Sequence, residues 1–162
     1  MPTTRSAKDA CDLLDAQHKL VKKMFKSYEE LTGSKARSTA QKKLELAREI
    51  CQNLTAHAQI EEEIFYPAMR AAIKDTDLVA EAEVEHQSAK DLIAQIEAGV
   101  EADEMFDAKV TVLGEYIDHH VKEEKNEMFP KARAARKLDL VAMREELEAR
   151  FEELMAEQGA VA

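Results

Sequence analysis

His57-Ala58-Gln59-Ile60-Glu61, with Phe65-Tyr66-Pro67 after it, and His120-Val121-Lys122-Glu123-Glu124, with Met128-Phe129-Pro130 after it, are two copies of one element. In both, Glu stands four residues after His and Pro ten residues after it. A spacing of four puts His and Glu on one face of a helix. Outward from each copy, the 3-4-3-4 positions are apolar: Ala47, Ile50 and Leu54 with Ile64 around the first, and Phe106, Val110, Leu113 and Ile117 before the second. That period marks a helix with one face buried. Two further stripes have the same form. One reads Ala7, Cys11, Leu14, His18, Val21, Phe25, Tyr28; the other reads Val79, Ala82, His86, Ala89, Ile93, Ile96, Val100. Each is apolar except for one His.

Helix boundaries follow from punctuation. The first helix is expected from about Ser6 to Leu31, stopped by Thr32-Gly33-Ser34. The second starts near Ser38, where Ser38-Thr39-Ala40-Gln41 fits a capping box, and ends around Tyr66-Pro67. The third runs from Thr76 or Asp77 to Gly99, and the fourth from Asp103 to Phe129-Pro130. A fifth, about 138–157, carries Leu140, Val141, Leu147, Phe151 and Leu154 on an apolar side. Short connections force consecutive helices antiparallel. The expected fold is all-α: an up-down-up-down four-helix bundle over about 6–130 with an additional C-terminal helix, one domain spanning 1–162.

The four His and two Glu fall at one depth of that interior. Burying Glu61 and Glu124 without partners costs several kcal/mol each. A divalent or trivalent cation removes the cost, and neutral imidazole with carboxylate is a suitable ligand set. His18, His57, Glu61, His86, His120 and Glu124 are therefore the expected metal ligands. A ferritin-like alternative uses carboxylate-x-x-His pairs, here Asp15 with His18 and Glu83 with His86. It fails on three counts. Asp15 and Glu83 lie about 100° off the inward seam, His57 and His120 have no role in it, and the segment from Pro67 to Asp77 is too short for the crossover. Asp15 and Glu83 are expected to support ligands or face solvent.

Bulk properties agree with a helical bundle. The chain has 162 residues with four Gly, three Pro and no Trp. A formal net charge of −10 disfavours nucleic acid and anionic membranes as partners. No apolar run reaches the length of a membrane span, no signal peptide is visible, and a cytoplasmic protein, monomer or homodimer, is expected. Cys11 and Cys51 should lie on opposite sides of the ligand layer, roughly 20 Å apart, too far for a disulfide.

The doubled H-x-x-x-E…[FY]-P element, with an isolated His upstream of each copy, resembles the hemerythrin-like, HHE cation-binding family over about residues 10 to 130. The resemblance implies a non-haem di-iron centre, with Glu61 and Glu124 bridging and the four His as terminal ligands. Manganese suits the same ligand types. The oxygen-carrying hemerythrins supply a second His one turn along the third helix, where this chain has Ala89 and Lys90. His119 points about 100° away from His120 and fills that gap only if the helix distorts. Ile117, Ile64 and Leu113 are candidates to wall off a small-ligand pocket, and Tyr116 or Tyr28 to donate a hydrogen bond into it. The implied ligands are O2, NO or peroxide, bound for storage, scavenging or sensing. The alternatives are a peroxide-consuming oxidoreductase and an iron donor in iron–sulfur cluster repair.

Overall fold

A computed structural model describes residues 8–161, so the expected start of the first helix at Ser6, and Ala7 of its stripe, lie outside the described residues. Helix α1 spans Ala10–Thr32. Asp9 caps it: the Asp12 N–H donates to Asp9 Oδ1 at 3.0 Å, and the Asp9 N–H donates to Asp12 Oδ2 at 2.9 Å. Helix α2 spans Thr39–Ile60. The capping box expected at Ser38 does not form, because Ser38 takes a helical backbone and makes no side-chain cap bond. Gln41 is directed instead to Glu45. Helix α4 spans Thr76–Glu97 and α5 spans Glu104–Glu123, the latter capped by Asp103 accepting from the Phe106 N–H.

The second and fourth expected helices do not stop at proline. Each passes through one π-helical turn, Glu61–Phe65 and Glu124–Met128, then continues as α3 (Tyr66–Ala72) and α6 (Phe129–Ala134). The Tyr66 N–H donates to the Glu61 carbonyl, and the Phe129 N–H to that of Glu124, each five residues back. A wider turn gives the Pro67 and Pro130 rings room away from the carbonyl four residues earlier. It also adds a residue to the turn, so the buried face moves on. Ile64, the position extrapolated from the straight helix, is only half-buried, while Phe65, Tyr66 and Met69 are fully buried.

The interior consists of two apolar clusters on either side of a polar layer. One holds Cys11, Leu14, Ile60, Phe65, Tyr66, Val79, Met128 and Phe129, among others. The other holds Val21, Ile50, Cys51, Leu54, Ile93, Val110 and Leu113, among others. Cys11 and Cys51 are free, buried and on opposite sides, and burial pushes both thiols up to about 12. At that value neither is a nucleophile at neutral pH. Helix α7 (Leu140–Val161) lies along α1 and α2 and feeds Leu140, Met143, Leu147 and Leu154 into the first cluster. Val141, expected on its apolar side, is exposed. No helix among the described residues is long and apolar enough to cross a membrane.

Candidate metal centre

The polar layer contains all six residues that the periodicity singled out. His18, His57, His86 and His120 are each 4–6% exposed, and Glu61 and Glu124 are 0% and 1% exposed. Their heptad positions alone bring them there. His18 comes from α1, His57 from α2, His86 from α4 and His120 from α5, and each Glu is the first residue of a π-turn.

Their Nε2 atoms converge in pairs. His18 and His57 approach to 3.1 Å, His86 and His120 to 3.2 Å. Glu61 Oε1 lies 3.0 Å from His57 Nε2, 3.3 Å from His86 Nε2 and 3.8 Å from His120 Nε2. Glu124 Oε1 contacts His120 Nε2 and lies 3.6 Å from His18 Nε2. Each carboxylate thus reaches both histidine pairs. None of the carboxylate approaches has hydrogen-bond geometry: all four oxygens of Glu61 and Glu124 are buried without a hydrogen-bond partner. Buried polar atoms are rarely left so. Four carboxylate oxygens without partners, crowded against four imidazole nitrogens, match a cation's donor set. The ligand atoms fall into two groups, His18 with His57 and Glu124, and Glu61 with His86 and His120.

Outer partners fix two of the rings. The His57 Nδ1–H donates to Gln17 Oε1 at 2.6 Å, and the His120 Nδ1–H to Glu85 Oε2 at 2.9 Å. Either bond would orient Nε2 inward with its lone pair free when a metal displaces its proton, as ligation requires. Gln17 and Glu85 each directly precede a layer histidine, which is the signal in the sequence that could have found them. Asp15 and Glu83, expected to support ligands or face solvent, take the second course and pair with Lys19 at 3.2 Å and Arg70 at 3.0 Å.

Burial works against charge in the layer, yet local partners outweigh it. The His57 ring beside Glu61 holds that carboxyl well below the usual range. The Glu124, Glu61 and Glu85 carboxylates hold His120 well above the ordinary imidazole value. Tyr66 is pushed well above the usual phenol value by burial and by Glu124 and Glu61.

Tyr66 is the residue that sequence reasoning missed. Its Oη lies 3.1 Å from His86 Nε2 and 3.3 Å from His120 Nε2. The two tyrosines expected near the site do not meet the histidine nitrogens. Tyr28 donates to Asp107 at 2.7 Å, and Tyr116 is 48% exposed at the outer edge of the cavity described next. His119 is an exposed ring paired with Glu123 at 3.1 Å, outside the layer. Lys90 is turned to Glu62 at 2.6 Å.

A cavity of about 40 Å³ adjoins the layer, lined by Val21, Leu54, Ala89, Ile93 and Ile117 together with the four histidines. Its volume exceeds what one water needs, roughly 10–15 Å³, and its walls are mostly apolar. Ile117 lines it as expected; Ile64 and Leu113 are not among its lining residues.

Fold and centre together define a helical bundle with a buried His/Glu cation site. Residues 9–132 match the model of the hemerythrin HHE cation-binding domain, and the chain belongs to that family. Its fold is similar to the crystal structure of a hemerythrin HHE cation-binding domain-containing protein from Mycobacterium kansasii, a homolog of Rv2633c. The TM-score is 0.75 at 23% identity, covering 93% of this chain and 89% of that one. No curated protein matches the sequence.

Proposed function

We propose that the six residues of the polar layer hold two iron ions, and that the centre binds O2 or a related small oxidant, NO or peroxide, for storage, scavenging or sensing. Glu61 and Glu124 act as bridges in this reading, with His18 and His57 on one ion and His86 and His120 on the other. The observation that carries it is the set of four buried carboxylate oxygens without hydrogen-bond partners, within reach of four imidazole nitrogens. Iron held there supplies a redox-active Lewis acid with positions open to a small ligand. The chain supplies the rest. Gln17 and Glu85 fix the tautomers of His57 and His120. The apolar walls of the adjoining cavity admit a diatomic molecule and disfavour water. Manganese fits the same donors.

A second reading, a di-iron oxidoreductase consuming peroxide or a donor of iron to damaged iron–sulfur clusters, draws on α4. There Lys90 is committed to Glu62 and His86 is the only layer ligand. Fewer protein ligands leave more positions for reaction or release.

Elemental analysis of the purified protein is expected to give about two irons per chain, as in other di-iron carboxylate bundles. Zinc alone, or no metal, sinks both readings. Oxygenating the reduced protein should produce a visible charge-transfer band that disappears on deoxygenation. Rapid loss of peroxide with no reversible band decides for the enzyme.

A further inference from the structure

We infer that Glu62 is the positioning residue for His86, accepting its Nδ1–H, and that Lys90 competes for the same carboxylate and weakens that hold. The inference rests on the metal-centre reading above and extends it to the ring that α4 contributes.

Ligation through Nε2 leaves the proton of a neutral imidazole on Nδ1. Each layer histidine therefore calls for an acceptor behind it. His57 has Gln17 and His120 has Glu85. His86 Nδ1 and His18 Nδ1 are buried with no hydrogen-bond partner. His86 Nε2 faces the layer, 3.2 Å from His120 Nε2 and 3.3 Å from Glu61 Oε1. Its Nδ1 lies on the other side of the ring, toward the π-turn Glu61–Phe65, where Glu62 Oε1 stands 4.0 Å away. An N–H···O bond needs about 2.7–3.2 Å, so the carboxylate is about 1 Å short. Lys90, four residues after His86 on α4, holds the same oxygen at 2.6 Å.

The two claims on Glu62 are unequal. Lys90 is 44% exposed along its side chain, and a pair in water contributes little. His86 is 5% exposed, and a buried N–H without an acceptor costs more than such a pair returns. With the proton on Nδ1, the balance favours a small rotation of Glu62 toward His86, opposed by Lys90. The repeat offers His18 no equivalent. Lys125 follows Glu124 as Glu62 follows Glu61, and an ammonium accepts no hydrogen bond. Glu62 thus supports the α4 ring specifically, and Lys90 sets how firmly.

The test uses the full chain loaded anaerobically with iron(II), with affinity read by chelator competition. Glu62→Ala is expected to weaken affinity by about 10–100-fold. Glu62→Gln, whose carbonyl still accepts, should recover most of that loss. Lys90→Met is expected to raise affinity by about 2–5-fold, the strength of one exposed ion pair. Repeated in a Glu62→Ala background, Lys90→Met should change nothing, because the competition has gone. A merely structural Lys90–Glu62 pair gives the opposite sign, with Lys90→Met losing affinity. Proton NMR of the loaded protein adds a second readout: one histidine ring N–H should exchange with solvent faster in Glu62→Ala and slower in Lys90→Met. Unchanged affinity in Glu62→Ala, a fall in Lys90→Met, or a gain that persists without Glu62 overturns this inference alone. Absence of iron from the wild type overturns it together with the reading it rests on.

Discussion

The hairpin of α1 with α2 and the hairpin of α4 with α5 are built on one plan, yet they surround their histidines differently. In the first, His57 leans on the neutral carbonyl of Gln17; in the second, His120 leans on the carboxylate of Glu85. The aromatics that follow the two layer glutamates cross over. Tyr66 of the first hairpin meets His86 and His120, and Phe129 of the second meets His18. The carboxylates cross in the same way, Glu61 grouping with His86 and His120, Glu124 with His18 and His57. Repeated helices thus give the two histidine pairs unequal surroundings, because Glu85 in place of Gln17 and Tyr66 in place of Phe129 change the charge and polarity beside one pair only.

The strongest way to break this comparison is at the groups both halves share. Glu61→Ala and Glu124→Ala should each strip iron from both positions, since each carboxylate contacts nitrogens of both pairs. Iron per chain by elemental analysis is the measure. A doubly substituted protein that keeps its full iron removes the bridging role.

Next in size is a pH effect that belongs to the second half. In chelator-treated protein, His120 is held charged against burial by Glu124, Glu61 and Glu85. A raised imidazole pKa contributes stability that is fully present below about pH 6.5 and lost as pH rises through the folded value. Glu61, whose pKa is lowered by His57 against burial, contributes stability above about pH 4.3 that is lost as pH falls. The stripped chain should be most stable between about pH 4.5 and 6.5. Iron should raise its melting temperature by more as pH increases, because protons no longer compete for the ring nitrogens. A pH-independent difference between loaded and stripped protein contradicts this.

Smaller again is the difference between the outer partners. Glu85→Gln should weaken metal affinity by about 10–100-fold, typical for losing a carboxylate behind a ligating His. Gln17→Glu should leave affinity equal or higher, bringing the first half toward the second. Competitive chelator titration reads both, and equal losses in the two variants would dissolve the asymmetry.

The smallest expected effect compares the hairpin connections. A Cβ on Gly99 would stand 2.8 and 2.9 Å from the buried Phe106 ring, whereas one on Gly33 would meet only the Glu30 carbonyl at 3.7 Å. Gly99→Ala should cost about 1–3 kcal/mol as the ring shifts, and Gly33→Ala should be near neutral. Thermal unfolding of the two variants distinguishes them.

The sequence by itself determined the bundle and the six layer residues, because helical periodicity assigns every third or fourth residue to one face and needs no knowledge of neighbours. His57 and Glu61, four apart, had to share a face wherever the helix packed. The same reasoning failed past Glu61 and Glu124, since it extrapolated a straight α-helix to a proline and stopped. Whether the chain ends there or widens into a π-turn depends on what the next turn can bury. Phe65, Tyr66 and Met69 packed against the second hairpin decide that, and a local pattern does not contain it. The placing of Tyr66 against His86 and His120, and of Gln17 and Glu85 behind His57 and His120, was likewise settled by tertiary structure. Each depends on a distance of about 3 Å between helices, which spacing along one helix does not fix.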